Sequence, residues 1–188
     1  MRVGNPSYIE IYDNALNKKE CDMIINQVEK SSLIPGHCGT DDYTSGKRCR
    51  EVANATFEDS SIISNVLYPG LMSCLRKYKD KHRCLDRIGM WSYFKEYNVQ
   101  KYEGEKDGFF AWHCEHGPHD DESQRILAWM FYLNDAKCGT EFINYPTIKA
   151  KRGRCVIWPA FWTHLHRGVV PNKGVKYIAT GWVSYIDE

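Results

Sequence analysis

Long apolar runs are missing from this 188-residue chain. None approaches the roughly 18 residues that a membrane-spanning helix requires, and the opening "MRVGNPSYIE" has no apolar stretch of the secretory-leader kind. A soluble, cytoplasmic protein with no membrane partner is therefore expected. An excess of charge is missing too. The 25 basic and 24 acidic residues leave a net charge of +1, which gives no general drive toward nucleic acid. The basic clusters "GKRCR" (46–50), "RKYKDKHR" (76–83) and "KAKRGR" (149–154) read as solvated faces or turns. Closely spaced cysteines are absent: the eight, at 21, 38, 49, 74, 84, 114, 138 and 155, never fall within four residues of one another. That excludes a zinc finger or a Cys-x-x-Cys redox pair, and small buried hydrophobes are expected instead. No repeat or linker divides the chain, so one domain over 1–188 is expected, and a 43% hydrophobic content excludes a disordered polar chain.

What is present has two textures. The first part is helical. After a short strand in "SYIEIY", "NKKECDMIINQVEK" offers Asn17 as N-cap with Glu20 three residues on, a capping-box arrangement. Cys21, Ile24, Ile25 and Val28 then fall on one helical face. The helix should stop before Pro35-Gly36, and the Gly-, Asp- and Ser-rich residues 36–50 predict an exposed loop. A second helical region spans about 60–82, its apolar side formed by Ile62, Ile63, Val66, Leu67, Leu71, Cys74, Leu75 and Tyr78, with Pro69-Gly70 expected to kink or split it. After residue 90, short aromatic and β-branched runs follow one another between turn signals: "MWSYF", "NVQKY", "FFAWH", "ILAWMFYL", "TEFINY", "RCVIW", "THLHRGVV" and "VKYIATGWVSYI". Helices followed by seven or eight strands, without a βαβ rhythm, predict an α+β fold with a β-sandwich or barrel core.

Histidines and acids concentrate in "FFAWHCEHGPHDDESQR" (109–125), where two His-x-acid pairs compete: His113-x-Glu115 and His119-x-Asp121. With 7 histidines and 24 acids, about 0.9 such pairs are expected by chance, so neither is decisive alone. A distal partner exists in "THLHR", where His164 and His166 alternate and should leave a strand on one face. Two histidines and one carboxylate form a facial triad that leaves positions open on non-haem Fe(II). A period of two would likewise bring His113 and Glu115 to one face.

With these segments in order, the chain resembles the iron(II)- and 2-oxoglutarate-dependent dioxygenases, specifically the prolyl-4-hydroxylase-like branch, which includes phage and marine bacterial relatives with a Trp-His-x-Glu form. The resemblance covers about residues 8–186. It runs through "DNALNKKECDMIINQVEK", "QKYEGEKDGFFAWHCE", "RILAWMFYLNDAKCGTEF" (similar to the family's "YLN…GGT.F", with Cys138 replacing the first glycine) and "KRGRCVIWPAFWTHLHRGVVPNKGVKY". It implies a double-stranded β-helix, or jelly roll, with N-terminal supporting helices. It also implies Fe(II) and 2-oxoglutarate with dioxygen, admits ascorbate as an auxiliary reductant, and adds host cytoplasm as the location should the source be viral.

The resemblance further implies roles for single residues. The family places a basic residue ten positions after the distal ligand; Lys176 is ten after His166, with Gly174 as the turn glycine. His166 is thereby the implied ligand and His164 its same-face neighbour. Tyr102 and the strand-like "FFAW" favour His113 and Glu115 over the pair in "GPHDDES", although Glu115 departs from the superfamily's usual aspartate. Lys176 is implied as the cation for the C5 carboxylate of 2-oxoglutarate, Tyr132 as a hydroxyl donor to it, and Tyr102 as a wall of that pocket. Trp112, Trp129, Trp158, Trp162 and Trp182 read as core or pocket wall, and Thr140 and Phe142 as packing inside the sheet. The implied reaction is hydroxylation of a peptide or protein, at proline above all. A nucleic-acid demethylase fits less well, since "VKYIATGWVSYI" lacks the two arginines expected there. The competing reading is a non-catalytic jelly-roll protein holding zinc through His113, His164 and His166.

Overall fold

The computed structural model describes residues 7–36, 47–169 and 173–186. Its elements in chain order are β1 (Glu10–Tyr12), α1 (Lys18–Lys30), β2 (Leu33–Pro35), β3 (Lys47–Arg48), β4 (Arg50–Val52), α2 (Ile62–Lys81), β5 (Trp91–Glu103), β6 (Gly108–Phe109), α3 (Asp120–Ser123), β7 (Arg125–Tyr132), β8 (Gly139–Phe142), β9 (Tyr145–Lys149), β10 (Arg154–Pro159), β11 (His166–Gly168) and β12 (Val175–Tyr185).

The capping box forms as the sequence predicts: Glu20 N donates to Asn17 Oδ1 at 3.0 Å, and Asn17 N donates to Glu20 Oε2 at 2.7 Å. Cys21, Ile24 and Val28 are buried beneath α1. The second helix corrects one half of an expectation, the split at Pro69-Gly70. Pro69 does not split it; α2 runs unbroken from Ile62 to Lys81. Proline forfeits one backbone hydrogen bond and crowds the preceding turn. Leu67 before it and Leu71, Cys74, Leu75 and Tyr78 after it are all buried, so packing on both sides holds the helix together. Among the described residues no helix is long and apolar enough to cross a membrane.

Seven strands form one sheet in the order β1-β10-β7-β12-β5-β4-β2, opposed by a smaller sheet β11-β8-β9, with β3 and β6 as a separate pair; every pairing is antiparallel. This is the jelly-roll α+β architecture. Strand pleating gives the large sheet two different faces. Tyr97, Val99, Trp129, Phe131, Cys155, Ile157, Tyr177, Ala179 and Val183 pack with the apolar sides of α1 and α2. Their neighbours Tyr102, Ala128, Met130, Tyr132, Val156, Trp158 and Ile178 pack on the opposite side with Phe142 and Ile148 of the small sheet. Gly139 permits the close β8–β9 approach, because a Cβ there would lie 2.0 Å from the Ile148 carbonyl oxygen.

Other expectations are corrected. "MWSYF" and "NVQKY" belong to one 13-residue strand, β5. The predicted exposed loop 36–50 is in part neither exposed nor a loop. Residues 37–46 lie outside the described residues, but Lys47 and Cys49 are buried, with β3 and β4 on either side of Cys49. Cys84 is exposed and Cys114 half-buried, unlike the other described cysteines, and Cys38 lies outside the described residues. Trp162, expected in the core or pocket wall, is 75% exposed on a 3-10 turn.

Candidate metal centre and cosubstrate pocket

Between the two sheets lies a cavity of about 600 Å³. Its wall includes the inward residues of two paired strands: Asn98, Gln100 and Tyr102 of β5, and Lys176, Ile178, Thr180 and Trp182 of β12. His113, Glu115 and His166 meet on its opposite side; they are the one group of three or more metal-capable side chains found among the described residues, with ligand atoms all within 4.8 Å of one another.

Backbone contacts hold this group. His113 and His166 form an isolated antiparallel bridge, each amide donating to the other's carbonyl at 3.0 and 2.9 Å. Glu115 N donates to Ala160 O at 2.9 Å. The expected strand through "FFAWHCE" is not what brings His113 and Glu115 together, because β6 ends at Phe109. The bridge and the Ala160 contact do so instead. The His113 ring lies flat on Phe109, with centroids 3.6 Å apart.

Each ligand atom has its orientation set from behind. His113 Nδ1 lies 3.0 Å from Ala111 O and His166 Nδ1 3.0 Å from His164 O. A carbonyl only accepts, so both Nδ1 atoms carry the proton and both Nε2 lone pairs face the cavity. Glu115 Oε2 accepts from Trp182 Nε1 at 2.8 Å, which leaves Oε1 at 3.3 Å from His166 Nε2 and 3.7 Å from His113 Nε2. Burial, and then the neighbouring His113, push the His166 ring below its usual pKa and favour the neutral form. Burial opposes ionisation of Glu115; protonated His113 and His166 outweigh burial and hold the carboxyl well below its ordinary range, whereas beside the neutral rings the carboxylate finds no donor among them. Three acceptors thus converge with no donor between them. Adjacent ligands on one ion at about 2.1 Å stand roughly 3.0 Å apart, near the 3.3 and 3.7 Å from Glu115 to the two histidines, so a divalent cation could be held by the three after they draw closer.

His164 departs from expectation. It sits in the 3-10 turn Trp162–His164 rather than in a strand, so the two histidines do not alternate on one face. Its Nε2 donates to Ser7 O at 2.7 Å, its Nδ1 lies 2.8 Å from Thr163 Oγ1, and its ring stacks on Tyr145. A zinc site through His113, His164 and His166 is therefore not formed. His119 and Asp121 are exposed at the start of the short α3, His119 at the cavity rim, and neither belongs to a metal-capable group.

Lys176 is 3% exposed, and its ammonium has no carboxylate within ion-pairing distance among the described residues. It stands over the Tyr102 ring, 4.3 Å from the centroid. Burial lowers its pKa, with weak opposition from Cys138 and Cys49. A buried cation facing a cavity without its own anion is the arrangement a carboxylate ligand would complete. Tyr132 does not reach the wall. It is fully buried, and its hydroxyl is spent on Thr140 Oγ1 at 2.7 Å; Thr140 is the hydroxyl that lines the cavity.

Sequence reasoning missed the polar chain beneath this pocket. Tyr102 Oη donates to Gln100 Oε1 at 2.5 Å, Gln100 Nε2 donates to Glu51 Oε1 at 2.7 Å, and Glu51 forms a buried ion pair with Lys47. Gln100 carried a usable signal, a polar residue on the inward period of a strand otherwise rich in aromatics. Lys47 and Glu51 carried none, coming from a stretch with no periodicity. Arg125 was also missed; it covers the Trp182 ring at 3.9 Å.

A family model described as the 2OG-Fe(II) oxygenase superfamily matches residues 97–184, a span that holds His113, Glu115, His166 and Lys176. That part of the chain carries the superfamily's sequence pattern. Its fold is shared with viral collagen prolyl hydroxylase vCPH from Paramecium Bursaria Chlorella virus-1, solved as its 2OG complex (20% identity, TM-score 0.72, covering 98% of this chain and 99% of that one). It is shared with a Pseudomonas putida prolyl-4-hydroxylase (13%, TM-score 0.70, 96% and 94%). It is shared too with a Trichoplax adhaerens prolyl hydroxylase in complex with a hypoxia inducible factor oxygen degradation domain peptide fragment (18%, TM-score 0.71, 96% and 84%). Comparison with curated protein sequences returns no significant match. The chain is a 2-oxoglutarate-dependent dioxygenase that uses Fe(II) and 2-oxoglutarate. The converging acceptors and the buried ammonium, with no carboxylate partner among the described residues, suit that cofactor set.

Proposed function

We propose that this oxygenase hydroxylates prolyl residues of a peptide or protein, with Fe(II) held by His113, Glu115 and His166 and the distal carboxylate of 2-oxoglutarate held by Lys176. The observation that carries the site assignment is the convergence of three oriented acceptors within a cavity that also contains a buried cation with no carboxylate partner among the described residues. Support for the prolyl substrate is the fold shared with prolyl hydroxylases. With iron, 2-oxoglutarate and dioxygen bound, the chemistry supplied is decarboxylation of the cosubstrate to succinate and CO2, coupled to conversion of a substrate C–H to C–OH.

The chain's own residues contribute position and exclusion. Lys176 supplies a fixed ammonium at the inner end of the cavity, and Thr140, backed by Tyr132, supplies a hydroxyl beside it. Tyr102 is locked by Gln100 so that its ring supports Lys176. Phe109 covers His113, and Trp158 packs edge-on against His166, which restricts water around both rings.

The test is incubation of the purified protein with Fe(II), 2-oxoglutarate and a panel of proline-containing peptides, following succinate and peptide mass. Succinate formed in step with a one-oxygen gain on proline is the expected result. Oxygen added to a different residue, with no proline modified, would overturn the substrate assignment.

A further inference from the structure

Both carboxylate oxygens of Glu115 are in use, and they face different partners. Oε1 faces the two histidines, while Oε2 accepts from Trp182 Nε1 at 2.8 Å. Trp182 is itself fixed. The Arg125 guanidinium lies over its ring with Cζ 3.9 Å from the centroid, and Arg125 Nη1 donates to the Glu115 carbonyl at 3.1 Å. Glu115, Trp182 and Arg125 therefore form a closed loop of contacts: carboxylate to indole, indole to guanidinium, guanidinium to main chain. Arg125 is at the start of β7 and Trp182 near the end of β12, neighbouring strands of the large sheet, so the loop is anchored on rigid backbone.

We propose that Trp182 is a positioning residue for the metal centre, holding Glu115 to coordination through one oxygen, with Arg125 keeping the indole in place. The inference rests on His113, Glu115 and His166 being that centre. An ionised carboxylate can take a metal with one oxygen or two, and two-oxygen binding occupies a position otherwise open to exogenous ligands. A charge-assisted hydrogen bond to Oε2 engages the second oxygen from the side away from the histidines. The glutamate arm matters here: one methylene shorter, the same carboxylate would be set back from both the indole N–H and the histidine pair.

Co(II) serves as the probe on the full chain, with affinity read by chelator competition and ligand geometry by visible absorption. Trp182→Phe should bind Co(II) about tenfold more weakly than wild type and show an altered band pattern. In a Glu115→Asp background the same substitution should change affinity by less than roughly twofold, because the interaction it removes is already lost. Benzothienylalanine at position 182 keeps the indole shape and removes only the N–H; it should reproduce the Trp182→Phe result and covers the case in which the phenylalanine variant fails to fold. An unchanged affinity and spectrum in either variant, or an equal loss in both backgrounds, would overturn the proposal. Glu115→Ala separates the two levels. Wild-type Co(II) affinity in that variant would sink the metal-centre reading itself, whereas its loss together with an inert Trp182→Phe would sink only the role of the indole.

Discussion

The two faces of β12 are made by the same pleat and do different work. On one face Tyr177, Ala179 and Val183 are buried against the helices. Its polar group is satisfied, since Tyr177 Oη donates to Glu29 at 2.8 Å. On the other face Lys176, Ile178, Thr180 and Trp182 line the cavity, and there the polar groups are held ready instead: Lys176 has no anion among the described residues, and Trp182 spends its N–H on Glu115. A one-residue step along the strand thus passes from stability to chemistry. Substitutions on one face should move melting behaviour, and those on the other should move ligand binding.

The largest effect is expected at the cluster the cavity face looks onto. Glu115→Ala should lose most iron affinity, and with it turnover of 2-oxoglutarate, because two neutral imidazoles remain without a charged ligand. Glu115→Asp should retain weak binding. Asp121→Ala should keep both properties near wild type, since Asp121 is exposed and belongs to no metal-capable group among the described residues. Iron titration of the three variants checks this; an active Glu115→Ala or an inactive Asp121→Ala would reverse the choice of acid.

Next comes Lys176→Ala. If Lys176 pairs with the cosubstrate, its removal leaves a buried carboxylate unpaired, at a cost on the order of 3–5 kcal/mol. The 2-oxoglutarate concentration for half-saturation should rise by two or more decades, on the order expected from that cost, while iron binding persists. An unchanged titration would remove Lys176 from the site.

The sequence made the order of these parts readable, but not the means by which they meet. Asn17 with Glu20 announced α1, because a cap is a local arrangement. The spacing of His113 to Glu115 and of His166 to Lys176 was likewise local. The strand periodicity offered for both histidine pairs was wrong in cause: a backbone bridge joins His113 to His166 across 53 residues, and a 3-10 turn carries His164 away. Long-range pairing of that kind leaves no periodic trace. Lys47 and Glu51 were illegible for the same reason, since their burial depends on β5 passing behind them. Pro69 shows the converse, a strong local signal overridden by tertiary packing.

The helix face of β12 is sharpened by Val183→Ala. Val183 is fully buried, and losing two methylene equivalents plus the cavity left behind costs about 2 kcal/mol. Urea unfolding should show that loss, with iron and 2-oxoglutarate titrations unchanged. A shifted cosubstrate titration with unaltered stability would mean the two faces are not separable as described.

The smallest effect is expected at His164, which tests whether proximity in sequence to the cavity implies a part in it. His164 is two residues from His166 and 4% exposed, yet its ring points to Ser7 and Tyr145 rather than to the acceptor cluster. The hydrogen bond from Nε2 to Ser7 ties the turn to the segment leading into β1, the edge strand of the large sheet. His164→Ala should cost about 1 kcal/mol, the net worth of one such bond, seen as a melting temperature lower by a few degrees. Iron affinity should stay within about twofold of wild type, because the His164 group that orients His166 Nδ1 is its main-chain carbonyl, which the substitution keeps. His166→Ala, by contrast, should abolish it. If His164→Ala instead removes iron while His166→Ala retains it, the register of the distal ligand is wrong by two residues, and the assignment of Lys176, counted from His166, fails with it.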